Sequence, residues 1–221
     1  MDVGKIDPRN HLENLSIAQS TITTKADYMD EVHYLNAYLL RVQAAIRSIE
    51  AMKLEQLAHA IDQTVTSSGH VFFLGNGGSA TTATHYVNDL VMAYARTNRV
   101  VRTSSLTDNA ALVTGIANDF SFDEMFEYQL RALGQPGDLV VAISASGNSP
   151  NLVRGIEYAN SIGMRTAAVL GFDGGQLKSM ANFVVHVTTD VGDYGPAEDA
   201  HLIINHAVAA LIRSQGESSA K

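Results

Sequence analysis

The sequence predicts an α/β protein with a mainly parallel sheet covered by helices on both faces. After Gly69, five short runs rich in β-branched residues alternate with stretches of helical spacing. Such alternation is typical of βαβ units, whose crossover helices cover the faces of a parallel sheet. Before Gly69, apolar residues recur only at helical spacing, which predicts a helical hairpin ahead of the sheet.

The N-terminal part of the chain is predicted to be an arm followed by that hairpin. Residues 1–27 are polar and weakly patterned, and we interpret them as an arm used in assembly. Two helices are predicted, from Tyr28 to Ala51 and from Leu54 to Ser67. Residues 28–215 are predicted to form one domain, and 216–221 a disordered polar tail.

Each predicted strand is followed by a helical pattern. The strands are expected at 70–75, 99–105, 138–144, 165–171 and 183–188. The helices are expected at 79–93, 107–117, 122–133, 150–161, 174–181 and 197–214.

Composition excludes several classes of protein. A formal net charge of −8 argues against nucleic acid binding through a basic surface. The chain has no cysteine, so disulfides are excluded and a metal would need His, carboxylate or amide ligands. Its start lacks the apolar core of a signal peptide, and no stretch approaches the ~20 apolar residues of a membrane span. We therefore expect a cytoplasmic protein that binds neither nucleic acid nor membrane.

The first strand ends in the glycine-rich loop GNGGSATTATH. Its glycines allow a ligand to approach the backbone closely. Ser79 is positioned to cap the next helix, whose free N–H groups favour an anion. The loop matches neither a P-loop nor a full G-x-G-x-x-G fingerprint. Taken alone, a glycine-rich turn after a strand is more often a plain turn.

The third strand ends in the serine-rich loop ISASGNSPNLV. Ser144, Ser146 and Ser149 surround a Gly-Asn pair, and Pro150 can begin the next helix. Hydroxyls and helix-start N–H groups can hold a phosphate without a cation. A serine-rich, N-capped turn without ligand is the structural alternative.

A polar pair, Asn118 and Asp119, is predicted to lie between two helical segments. It could reach a sugar hydroxyl, or it could form an Asx turn that caps the next helix.

Two helices carry further candidate ligands. His85 and Asp89 are four residues apart, so they share a helix face. Glu198 and His206 lie on the last helix, and with the first pair they are suitable ligands for a zinc-like cation. Eight residues rise about 12 Å along a helix, so these two can share one ion only with side chains bent together or across subunits. His201 is a competing candidate, and all of these side chains are also compatible with purely structural roles.

Together, the stretches GNGGSATTATHYVNDL, TDNAALVTGIANDFSFDEMF and ISASGNSPNLV…LGFDGGQL resemble the sugar isomerase (SIS) domain family, and within it the phosphoheptose isomerases. The resemblance runs from about residue 30 to 214. It implies a three-layer α/β/α sandwich with a five-stranded parallel sheet, and N-terminal helices that pack a homotetramer, with a homodimer as the alternative.

The resemblance also implies a site. The implied substrate-binding residues are Asn76, Gly77, Gly78, Ser79, Asn118, Asp119, Ser144, Ala145, Ser146, Ser149 and Glu198. The implied catalytic residues are Asp89 and His206. The implied ligands of a divalent metal, with zinc expected, are His85, Asp89, Glu198 and His206.

Three positions depart from the family pattern. Asp89 stands where the family has Glu, Glu198 where it has Gln, and Ala145 where it has Thr. A shorter carboxylate has less reach, and the added charge favours a cation but disfavours an anionic intermediate.

The expected activity is aldose–ketose isomerisation of a sugar phosphate, from sedoheptulose 7-phosphate to the heptose 7-phosphate. One alternative is a SIS protein that binds sugar phosphates or acts as an adaptor without turnover. Another is an isomerase of a different phosphosugar.

Overall fold

The computed structural model describes residues 25–219 and the side chains of residues 30–216. The chain divides into two units, residues 1–40 and 41–221. The described part of the first unit is helical and carries four exposed large apolar side chains, those of Tyr34, Leu35, Leu39 and Leu40. Most of the predicted arm, residues 1–24, lies outside the described residues.

The elements alternate as the sequence predicts. The helices are α1 (Lys25–Arg47), α2 (Ala51–Thr66), α3 (Gly78–Ala95), α4 (Ala110–Asp119), α5 (Met125–Leu133), α6 (Pro150–Ser161), α7 (Leu177–Met180) and α8 (Tyr194–Ser219). The strands are β1 (His70–Gly75), β2 (Arg102–Ser105), β3 (Leu139–Ser144), β4 (Arg165–Leu170) and β5 (Phe183–His186). A short 3₁₀ helix, Phe122–Glu124, precedes α5.

The five strands form one sheet in the order β2-β1-β3-β4-β5, and every neighbouring pair is parallel. Successive residues of β1 enter different cores: Val71 and Phe73 pack in one apolar cluster, and Phe72 and Leu74 in the other. Strands buried on both faces read as continuous apolar runs because both faces are covered by helices. The predicted α/β sandwich is confirmed.

Several boundaries differ from the prediction. Strand β2 begins three residues later than expected, because the turn after α3 continues to Arg99, whose N–H donates to the Tyr94 carbonyl. The helix expected from 174 begins only at Leu177, because Gly174 and Gly175 have φ of 91° and 52°. Helix α8 extends into the predicted tail, of which residues 220–221 are not described.

Within the described part of the chain, no helix combines the length and the apolar character needed to cross a membrane.

Candidate active site

The glycine-rich and serine-rich loops lie at the switch point of the sheet. Strand β1 is hydrogen-bonded to both β2 and β3, so the connections from β1 and β3 leave in opposite directions. In open α/β sheets with this order, the crevice outside the carboxyl ends of these two strands is where ligands bind.

The glycine-rich loop makes close contacts inside the protein. A Cβ at Gly75 would overlap the backbone of Ser79, and a Cβ at Gly78 would overlap the Glu198 carboxylate. Helix α3 begins at Gly78 after Gly77, which has φ of 53°. The expectation that Ser79 caps this helix is wrong, because the helix begins before it and Ser79 lies buried in the first turn.

Hydrogen bonds within the serine-rich loop fix its conformation. The Gly147 N–H donates to Ser144 Oγ over 3.0 Å, and the Asn148 N–H to Ser146 Oγ over 3.3 Å. Ser149 precedes α6, Pro150 is at the start of that helix as expected, and the Ser149 side chain makes no capping hydrogen bond. Its hydroxyl therefore remains available to a ligand.

Both loops line one cavity of about 120 Å³, called here the serine cavity. Its lining comprises Asn76, Ser79, Ile143, Ser144, Ala145, Ser146, Ser149, Leu152, Tyr194 and Glu198. The Asn76 side chain is oriented by the buried Asn151, with reciprocal amide hydrogen bonds of 2.9 Å. Asn151 and Tyr194 are two residues that sequence reasoning missed. Asn151 lies within the serine-rich stretch ISASGNSPNLV, whereas Tyr194 belongs to none of the quoted stretches.

Glu198 belongs to the serine cavity. Burial, and then the neighbouring Asp199, raise the pKa of its carboxyl above the ordinary value. The structure does not bring Glu198 into the group formed by His85, Asp89 and His206, the described residues that could together hold a metal ion. The rise of about 12 Å between Glu198 and His206 accounts for the separation.

His85, Asp89 and His206 form a compact cluster between α3 and α8. Nε2 of His206 lies 3.4 Å from Nε2 of His85 and 3.8 Å from Oδ2 of Asp89, while His85 Nε2 lies 3.4 Å from that oxygen. The Asn205 amide donates to Asp89 Oδ2 over 2.9 Å, and Asn88 to Oδ1 over 3.0 Å. Asn205 is a further residue that the sequence analysis missed, although it directly precedes His206.

The cluster has the donor set of a transition-metal site. Two imidazole nitrogens and one carboxylate oxygen lie within 4.8 Å of one another. Imidazole and carboxylate ligands suit zinc and its neighbours in the first transition series. The cluster therefore fits a metal ion by the chemistry of its donors.

The competing candidate, His201, is in a different environment. Its side chain is fully buried, and burial lowers its pKa to about 4. It is therefore neutral at pH 7 and lies in the interior of the protein rather than in the cluster.

Asn118 and Asp119 are the last two residues of α4 rather than a linker between helices. Both are exposed, and the Asn118 amide donates to Asp119 Oδ1 over 2.8 Å. They do not cap the following 3₁₀ helix, which is preceded by Ser121. They do not line the serine cavity, so their role as substrate contacts stays a prediction.

Comparison with known proteins agrees with this architecture. A family model described as the SIS domain matches residues 33–171. A probable phosphoheptose isomerase of Thermoplasma acidophilum is 36% identical over 175 residues, which are 79% of this chain and 95% of that protein. The phosphoheptose isomerase of Akkermansia muciniphila is 31% identical over 184 residues, covering 82% of this chain and 96% of that protein.

A solved structure is also similar. The phosphoheptose isomerase GmhA from Neisseria gonorrhoeae superposes with a TM-score of 0.75 at 29% identity, covering 85% of this chain and 99% of that one. The chain belongs to the SIS domain family and, within it, to the phosphoheptose isomerases.

Proposed function

We propose that the protein isomerises sedoheptulose 7-phosphate to the corresponding aldose, D-glycero-D-manno-heptose 7-phosphate. The observation that carries the proposal is the spacing of two sites along α8 of this chain, which is a member of the family. The serine cavity lies at Glu198, and the His/Asp cluster lies about 12 Å further along the helix at His206. A seven-carbon chain with a terminal phosphate extends roughly 10 Å, given C–C bonds of about 1.5 Å, and so matches this separation.

In the proposed mechanism, the serine-rich loop holds the phosphate. Hydroxyls of Ser146 and Ser149 and the first N–H groups of α6 supply neutral donors. Bound in this way, the sugar chain runs toward the cluster, with its carbonyl end near Asp89 and His206.

Asp89 acts as the general base and His206 as the proton carrier. The Asp89 carboxylate removes a proton from C1 of the ketose, which gives an enediolate across C1 and C2. His206 moves a proton from O1 to O2, and a proton returned to C2 completes the aldose. Asn205 and Asn88 orient the Asp89 carboxylate through their amide hydrogen bonds.

We also propose that His85, Asp89 and His206 hold a divalent metal, with zinc the favoured ion. Such an ion would polarise carbonyl and hydroxyl oxygens and would stabilise negative charge on them. Glu198 stays a predicted ligand from the family pattern, although its side chain belongs to the serine cavity.

Turnover of sedoheptulose 7-phosphate by the purified full chain tests the proposal. We expect aldose formation in an NMR assay, with reduced activity after chelation and recovery when zinc is restored. A panel of C5 and C6 ketose phosphates is the control for substrate choice. If no member of the panel is converted, while a sugar phosphate still raises the Tm, the protein is a sensor rather than an enzyme.

Glu198→Gln is expected to tighten sugar phosphate binding. An ionised carboxylate in the serine cavity repels the phosphate, and two unit charges about 4 Å apart in a water-like dielectric interact by about 1 kcal/mol. We therefore expect KM to fall about fivefold at pH 8, with Glu157→Gln, an acid outside the cavity, as the control. An unchanged or higher KM would contradict this account of the cavity.

The same variant has a pH-dependent effect on stability. Because the folded-state pKa of Glu198 is raised, ionisation of its carboxyl destabilises the folded protein. This destabilisation is absent below the unfolded-state pKa and complete above the folded-state pKa. Replacing the carboxyl by an amide removes this cost. The gain in Tm on replacement, measured by thermal denaturation, should therefore be larger at pH 8 than at pH 4.

We propose further that the protein is a cytoplasmic homotetramer. Four exposed large apolar side chains between residues 34 and 40 support self-association, because exposed apolar side chains concentrated in one segment commonly mark an interface.

A further inference from the structure

A second hollow adjoins the His/Asp cluster on the side away from the serine cavity. It measures about 280 Å³ and is called here the arginine hollow. Asp89 and His206 line it together with the guanidinium-bearing residues Arg96 and Arg213. Met92, Ala93 and Ala209 complete its lining.

The register of α3 and α8 creates this hollow. The two helices run parallel. Near their starts Gly78 lies against Glu198, and further along the Asn205 amide donates a hydrogen bond to Asp89. Near their ends, a Cβ at Gly216 would overlap the Thr97 side chain. Successive contacts therefore advance in the same direction along both helices.

Each arginine follows a cluster residue by two helical turns. Arg96 comes seven residues after Asp89, and Arg213 seven residues after His206, a rise of about 10.5 Å on each helix. Side chains on a helix lean toward its N-terminus. This lean favours positions of both guanidinium groups back toward the cluster, and both arginines line the hollow that adjoins it.

Neither guanidinium pairs with another side chain within residues 30–216. Among the described residues, Arg96 and Arg213 have no ion pair or side-chain hydrogen bond. The arginines of a surface groove elsewhere are different, since Arg131 pairs with Glu127 at 2.6 Å and Arg154 with Glu124 at 3.0 Å. Two guanidinium groups in one hollow, without a partner among the described side chains, favour the binding of an anion even in a chain with a net charge of −8.

We infer that the arginine hollow is an oxyanion subsite, in which Arg96 and Arg213 together bind a phosphate or carboxylate group next to the reaction centre. The carboxylate of Asp89 lies at the cluster end of the hollow, so the anion is held at the arginine end. Two sources fit this chemistry: free inorganic phosphate, and an anionic group attached at the C1 end of a sugar phosphate. The second source rests on the proposed function, which places C1 at the cluster.

Titration with inorganic phosphate tests the subsite directly. Calorimetry on the full chain should detect phosphate binding that weakens at least tenfold in Arg96→Gln/Arg213→Gln. The control, Arg47→Gln/Arg102→Gln, removes the same charge from exposed positions outside the hollow and should leave this binding intact. Unchanged phosphate binding in the first variant overturns the proposal. So does a loss of binding that accompanies a lower oligomer mass in light scattering, because the arginines would then serve a subunit interface.

A heptulose 1,7-bisphosphate distinguishes the two sources. If the subsite accepts a group attached at C1, this compound should compete with sedoheptulose 7-phosphate at least tenfold more tightly in the wild type than in Arg96→Gln/Arg213→Gln. If phosphate binding depends on the arginines but the bisphosphate competes equally well in the wild type and the variant, free phosphate is the ligand. The calorimetric titration with phosphate does not depend on turnover. A protein without isomerase activity would contradict the proposed function, but the titration would still test the subsite.

Discussion

Asp89→Asn should reduce kcat/KM for sedoheptulose 7-phosphate by about 10³, within the range of 10²–10⁴ that general acid–base catalysis contributes. The amide keeps the shape of the side chain but cannot accept the C1 proton. The exposed Asp123, on the short 3₁₀ helix, supplies the matched control as Asp123→Asn, which should retain wild-type rates.

Proton exchange separates the base from a residue that only positions the substrate. In D₂O, the wild type should exchange the C1 proton of the ketose as it isomerises, and Asp89→Asn should lose both reactions. His206→Asn should retain exchange at C1 while aldose formation falls, because His206 acts after the first proton has left. Exchange that persists in Asp89→Asn would show that another group is the base.

Asp89→Glu tests the departure from the family pattern. The longer carboxylate restores the residue that the family carries at this position. We expect this variant to retain at least a tenth of the wild-type rate, since the carboxyl group is kept. Inactivity comparable to that of Asp89→Asn would mean that Asn88 and Asn205 fit only the shorter side chain.

Strand β1 was predicted with its observed bounds because its physical signal is local. Val71 to Leu74 form a continuous apolar run, and such a run has few alternatives to a strand covered on both faces. The separation of Glu198 and His206 was predictable for a similar reason, since the rise of a helix depends only on the number of residues between them.

Other features depend on the register between distant segments, which the sequence does not encode locally. Ser79 was expected to be the helix cap, but the N-cap is Gly77, two residues earlier, so Ser79 lies in the first turn. The arginine hollow requires α3 and α8 to run parallel with Arg96 and Arg213 at the same level. Neither arginine belongs to a motif, so only the packing of the two helices reveals them.

The packing of residues 174–177 against the serine-rich loop is a second case of contact between distant segments. The Leu177 N–H donates to the Gly147 carbonyl over 3.1 Å, and the Gln176 N–H donates to Asn148 Oδ1 over 3.0 Å. The residue pattern predicts a helix from residue 174. The structure instead uses Gly174 and Gly175, both with positive φ, to bring this segment against the loop.

Gly147→Ala is therefore expected to disrupt the proposed phosphate site. Gly147 has φ of 63°, a conformation that costs a residue with a Cβ about 1–2 kcal/mol. The added methyl would also overlap the backbone carbonyl of Gly174. Because Gly174 cannot yield without moving the segment behind it, the loop should shift and its donors should lose their common orientation. We expect KM for the sugar phosphate to rise at least tenfold and the free energy of unfolding to fall by about 2–3 kcal/mol.

Gly115→Ala is the matched control, because it adds the same methyl group in open space. Gly115 lies within α4, and a Cβ at this position would meet no atom within 4 Å. Alanine favours a helix over glycine by about 0.5–1 kcal/mol, so this variant should be slightly more stable and keep the wild-type KM. Chemical denaturation and steady-state kinetics measure both effects. If Gly147→Ala lowers stability but leaves KM unchanged, the serine-rich loop is a structural turn, and the phosphate must be held elsewhere.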